Sequence, residues 1–129
     1  MTFSLSAIQQ AHQQYTGVNF PKLFQAFKAM GITINTVDIQ NGTTVYTHQS
    51  GEQIIDKGVK STVPISHHTD KEQLQESLKQ HQIGETDFPS FCDEMAQGGI
   101  YKWHISIDAG TCAYVNLKNE IVIVERIPQ

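Results

Sequence analysis

The chain has few of the residues that mark a chemical class at first reading. It has two cysteines in 129 residues, Cys92 and Cys112, far apart in sequence. That is too few for a disulfide framework and suits a reducing cytoplasm, the expected compartment. Lys and Arg number 9 against 13 Asp and Glu, for a net charge of -4, and no Lys/Arg cluster occurs. The electrostatic footprint of a nucleic-acid binder is missing, and so is a basic membrane-surface helix. No apolar run approaches the ~18 residues that would span a bilayer. The opening Met1-Thr2-Phe3-Ser4-Leu5 has neither a basic segment nor a long apolar one, so no secretory signal is expected.

Catalytic and ligand-binding motifs are scarce as well. There is no Walker loop, no Gly-x-Gly-x-x-Gly and no Gly-x-Ser-x-Gly. Among the 6 histidines, His67 and His68 are adjacent. On an extended strand they would point to opposite faces and could not chelate together. With no His-x-x-x-His and no Cys-x-x-Cys, no metal and no cofactor are expected. The carboxylates are scattered, and no closely spaced acid pair marks a glycosidase-like site.

What is present is a repeat. Hydrophobic residues are 39% and charged residues 17%, enough for a core, and the length fits one domain over residues 1–129. A shift of 68 positions lays Gln14–Glu52 over Gln82–Glu120 without a gap. Ten pairs are then identical, including Phe20/Phe88, Pro21/Pro89, Gly31/Gly99, Ile39/Ile107, Gly42/Gly110 and Tyr46/Tyr114. About 2–3 would be expected by chance from average composition. The spacing predicts two structural repeats, about residues 1–60 and 69–128.

Each copy reads as helix-helix-strand-strand-strand. The first helix carries Leu5, Ile8, Ala11 and Tyr15 at helical spacing. Its counterpart opens on Thr69-Asp70-Lys71-Glu72, a capping box with Thr69 as cap, and presents Leu74 and Leu78. The second helix starts at Asn19-Phe20-Pro21 or Asp87-Phe88-Pro89 and stops at Gly31 or Gly98-Gly99. Asn41-Gly42 predicts a two-residue hairpin turn, with Ala109-Gly110 in the same place. That register opposes Val37 to Tyr46, and Ile105 to Tyr114. Alternation puts Trp103, Ile105, Ile107, Cys112, Tyr114, Ile121 and Ile123 on one face. The expected fold is α+β, a mostly antiparallel six-stranded sheet with four helices packed on one side.

The run His81-Gln82-Ile83-Gly84-Glu85-Thr86-Asp87-Phe88, then Phe91-Cys92, Gly99, Lys102-Trp103, Thr111-Cys112, Tyr114 and Glu125-Arg126-Ile127-Pro128, resembles a bacterial domain-of-unknown-function family. Some members are labelled phage envelope protein-like. The match is dense from His81 to Pro128 and collinear in copy one at Phe20-Pro21 and Gly31. The resemblance implies a small bacterial or prophage-borne protein, and it carries no catalytic residues. Around Tyr114, Ala113 and Val115 stand where the family leads one to expect more polar residues.

The repeat sorts the candidate residues. Cys92 falls over Phe24, an apolar helix position, so a buried thiol is expected rather than a nucleophile. Asp87 falls over Asn19 and reads as a helix cap, and Gly84 as a helix stop. His81 falls over Gln13 and Trp103 over Asn35, so the shared fold explains neither. His81, Trp103 and Tyr114 are the candidates for a ligand or partner site. Trp103 either lines a pocket or fills the larger gap at one end of the core. On the opposite sheet face, Ala113, Val115, Val122 and Val124 form an apolar cluster where a solvated face should be polar. The sheet of copy one, the linker Ser61–His68 or a second molecule could cover it. A homodimer is expected, because a two-fold contact needs one self-complementary patch. The expected function is a non-catalytic binding or protein-interaction module. The alternative is a small-molecule enzyme with its pocket near His81, Trp103 and Tyr114.

Overall fold

Apolar residues at helical and alternating spacing produce four helices and six strands. The computed structural model describes residues 2–15 and 20–127. Copy one comprises α1 (Leu5–Tyr15), α2 (Phe20–Ala29), β1 (Ile32–Asp38), β2 (Thr43–His48) and β3 (Gln53–Lys57). Copy two comprises α3 (Lys71–Gln82), α4 (Phe88–Gln97), β4 (Ile100–Ser106), β5 (Thr111–Asn116) and β6 (Ile121–Arg126). At the same offset β1 and β2 coincide end to end with β4 and β5. The left-handed backbone positions coincide too: Gly31 with Gly99, Gly42 with Gly110, and Gly51 with Asn119. The duplicated pattern is therefore a property of the fold.

Local signals place the helix ends. The Asp87 carboxylate accepts from Ser90 N at 2.8 Å and caps α4, which draws its own pKa below the ordinary carboxylate value. At α3 the cap is Asp70, accepting from Gln73 N at 3.2 Å, one residue later than the expected Thr69. A carboxylate at that position also meets the positive end of the helix dipole, which a hydroxyl does not. The cap expected at Asn19 lies outside the described residues.

The sheet runs β3-β2-β1-β4-β5-β6 and is antiparallel throughout. Its two halves meet where β1 pairs with β4, and Thr36 lies opposite His104, its own repeat counterpart. A local two-fold axis passes between them. The hairpins differ from the two-residue turn expected at Asn41-Gly42. Asp38 opposes Thr43 and Ser106 opposes Thr111, so four residues, 39–42 in copy one, form the connection. Ile39 leaves the hairpin ladder because its N–H bonds Tyr101 O across the seam at 3.0 Å, and Ile107 N does the same to Thr33 O at 2.8 Å. The Asp38 carboxylate accepts from the Gln40 and Asn41 amides, closing the turn. Val37 thus opposes Thr44, and Ile105 opposes Cys112. The slip is two residues, so every side chain keeps its face.

One buried cluster joins all four helices to one sheet face, with Ile8, Phe24, Leu74 and Met95 meeting Ile32, Tyr46, Trp103 and Cys112. The third strand of copy two carries an irregularity opposite Tyr114/Val115. It places Ile121, expected toward the helices, across from Val115 and 62% exposed. Val122 packs against the core instead. The linker runs on the helix side. Thr62 donates through its N–H and hydroxyl to the Asp93 carboxylate at 2.7 and 2.6 Å, and Ser66 N bonds Ala96 O. Both cysteines are free and buried, and burial pushes each thiol up to about 12.

Two outcomes are expected. A Cβ on Gly99 would sit 2.8 Å from His68 O at a φ of +93°, so Gly99→Ala should destabilise by about 1–3 kcal/mol. Gly51→Asn copies Asn119, its Cβ meets nothing within 4 Å, and at the same φ of +93° it should cost less than Gly99→Ala; urea melts read both. In native protein at pH 8, Cys92 and Cys112 should label far more slowly with a thiol reagent than in denaturant.

Candidate functional site

On the helix face, His81 stacks on Phe91 with ring centroids 4.1 Å apart, and Phe91 meets Trp103 edge-on at 5.7 Å. Trp103 lies 5.6 Å from Tyr114, its cross-strand partner. The structure thus brings His81, Trp103 and Tyr114 together through Phe91. The contacts are those of a packed core: Phe91, Trp103 and Tyr114 are each buried. At the solvent edge, the Tyr114 hydroxyl donates to Glu125 at 3.2 Å, the Gln82 amide donates to the same carboxylate, and His81 Nδ1 lies 3.2 Å from Thr86 Oγ1. Burial raises the Tyr114 pKa, so the phenol stays protonated. Two surface cavities lie elsewhere. One, of about 390 Å³, runs between α1 and α2 past Gln10, Gln14 and Lys22, and the other, of about 370 Å³, runs past His67, His68 and Lys118.

Copy one holds a counterpart that sequence reasoning missed. His12 Nε2 is hydrogen-bonded to the Tyr46 hydroxyl at 2.8 Å, and both rings pack edge-on with Phe27. Burial drives the His12 pKa below its ordinary 6.5, and the Asp56 carboxylate pulls it partly back. The available signal was His12 at i+4 from Ile8, which puts it on the inner face of α1, together with the Tyr46/Tyr114 identity. Near the seam, Asn35 is buried and its Oδ1 has no hydrogen-bond partner among the described residues. Among those residues no group of three or more His, Cys, Asp or Glu could hold a metal ion. No described helix is long and apolar enough to cross a membrane.

The opposite face has a different character. Strand pairing lays its side chains in three rows across the sheet. The middle row is Ile55, Val45, Thr36, His104, Ala113 and Val124. Ile55 is 66% exposed and Val124 60%, and Ile34 and Ile121 in the flanking rows are exposed as well. Val115 is buried between Lys102 and Ile121, its register neighbours. The formal charges, Lys57, Asp38, Lys102 and Arg126, all lie in the flanking rows. At the centre Thr36 Oγ1 and His104 Nδ1 are 3.0 Å apart.

A model described as "Protein of unknown function (DUF1398)" matches residues 9–126. The chain belongs to this family. The match runs from within α1 to the end of β6, so the family's unit is the duplicated pair with its seam, not one copy. No curated protein matches the sequence. In this DUF1398 protein both tyrosines at the repeat's Tyr46/Tyr114 position reach a polar partner from the helix side, a His in one copy and a Glu in the other.

A pH dependence of stability follows from His12. The unfolded chain takes up the imidazole proton near 6.5, while the folded protein takes it up only at lower pH. Stability contributed by neutral His12 is therefore fully present above that pH and is lost as pH falls below it. Thermal melts from pH 7.5 to 5 should show a decline in the wild type that is smaller in His12→Gln, a residue type that copy two carries at Gln80.

Proposed function

We propose that this protein is a non-catalytic interaction module that works as a homodimer joined through the open sheet face. The observation that supports the reading is the middle row, apolar at both ends, free of formal charge, and arranged about a local two-fold axis. A sheet face exposed to water in a monomer carries alternating polar residues. Here four large aliphatic side chains, Ile34, Ile55, Ile121 and Val124, are exposed on it. A charge-free line with charges confined to the rows on either side leans toward the charge-depleted core of a protein interface.

A second copy fits this face in area. Six strands at ~4.8 Å, with ~20 Å of each strand, give a face of ~580 Å² in plan. Two such faces stacked ~10 Å apart would bury about 1,200 Å² in total, the lower end of specific interfaces. Interfaces at that end of the range are of the weak, transient kind. The sheet edges suit association less well. β3 carries Asp56 and Lys57, and β6 carries Glu125, Arg126 and an irregularity, the devices that protect an edge. Of the residues named from sequence, Ala113, Val115 and Val124 fall in this face, and Val122 contributes to the core beneath it. The enzyme alternative, with a pocket at His81, Trp103 and Tyr114, is disfavoured because those rings fill the space between helix and sheet. Two free buried thiols suit a reducing compartment.

Sedimentation velocity from about 1 to 200 µM tests the reading, a range that brackets a micromolar constant. The wild type should pass from monomer to dimer. Ile55→Asp and Val124→Asp, at exposed positions, should remain monomeric with unchanged circular dichroism. A wild type that is monomeric throughout would overturn the proposal.

A further inference from the structure

His104 is the only titratable group in the middle row, and it sits beside the local two-fold axis. We infer that His104 makes association through the open face pH-dependent, the neutral imidazole permitting the dimer and the protonated one dissolving it. This rests on the homodimer reading above and adds a control to the same surface.

The geometry carries the inference. Two faces stacked about a molecular two-fold near this point bring both His104 side chains into the centre of the contact, away from the wet rim. An imidazolium there loses water on all sides and faces a second imidazolium. No carboxylate is placed to neutralise it. From β1, His104 faces the Thr36 hydroxyl, with Ile34 and Asp38 as the flanking positions. Asp38 opposes Lys102, and its carboxylate is taken up by the Gln40 and Asn41 amides and the Asn41 side chain. From β5 it faces Ala113, flanked by Thr111 and Val115, none of them ionisable. On its own strand the neighbours on this face are Ser106 and Lys102, and the Lys102 ammonium opposes protonation. Arg126 and Lys57 add positive charge in the flanking rows.

The titration already leans the required way in one chain. Partial burial, and secondarily Lys102, hold His104 below its ordinary 6.5. Covering the face deepens the burial. Separation then takes up as many as two protons, one per chain, as pH falls through the pKa of the free chain. By linkage the dissociation constant should rise by up to about 100-fold per pH unit in that window, and be flat above it.

The experiment is sedimentation of wild type, His104→Gln and His12→Gln at pH 7.5 and 5.5. Wild type and His12→Gln should each weaken at the lower pH, with a slope of up to about 100-fold per pH unit, while His104→Gln dimerises equally at both. His104→Thr, which repeats the Thr36 side chain, serves if His104→Gln does not fold. A wild-type dimer of equal strength at both pH values overturns the inference and leaves the dimer standing. A pH response that persists in His104→Gln assigns it to another group and overturns it too. A wild type monomeric at both pH values overturns the homodimer reading and the inference with it.

Discussion

Everything in this molecule is organised by the antiparallel pairing of β1 with β4. Each copy alone is a three-stranded meander with two helices on one side, and β1 or β4 would be an open edge. Pairing closes both edges at once. It does so around Thr36 and His104, with matching hydrogen bonds from Ile39 N to Tyr101 O and from Ile107 N to Thr33 O. Because the pairing is antiparallel between equivalent strands, both helix pairs fall on the same face and the sheet becomes continuous. The same symmetry leaves the other face without a described helix on any of its six strands, and in its three rows only Val115 is buried.

That consequence separates the two faces energetically. The covered face buries its large side chains almost completely, including Ile100, Trp103 and Tyr114. Full burial of a large aliphatic side chain is worth about 1.5–3 kcal/mol, so exposed Ile34, Ile55, Ile121 and Val124 hold apolar area that the folded monomer does not use. Scattered single exposures are ordinary, but these four share one sheet face, Ile55 and Val124 at the ends of the middle row and Ile34 and Ile121 in the rows beside it. The one polar pair at its centre, Thr36 with His104, shares a hydrogen bond that engages one of the two imidazole nitrogens, Nδ1.

Most of the architecture was legible because the chain states it twice. Ten identities at one offset located both hairpins and both helix-stop glycines, and the shared Phe-Pro placed the Asp87 cap beside them. Where reading failed, a competing interaction was responsible. The Asn41-Gly42 signal predicted a two-residue turn, but Ile39 is held by the other copy across the seam, so the loop lengthens and the register slips by two. A local turn signal contains no information about a partner strand far away in sequence. The alternation that sent Ile121 inward was broken by an irregularity in β5–β6 pairing, which periodicity cannot foresee. His12 went unnoticed because its partner Tyr46 is 34 residues away. Trp103 stood out through its mismatch with Asn35, and the structure places both on the covered face, the one packed and the other with an amide oxygen that has no partner among the described residues.

The proposed dimer depends on the helix-free face being the surface through which two chains meet. Methyl NMR on dilution examines that most directly. Signals of Ile34, Val45, Ile55 and Val124 should shift together with concentration. Ile83, equally exposed but at the end of α3 on the helix side, should stay fixed, as should the core methyls of Ile8 and Leu74. Shifts confined to Ile83 and the helix surface, or no shift in any of these signals up to about millimolar protein, would contradict the account.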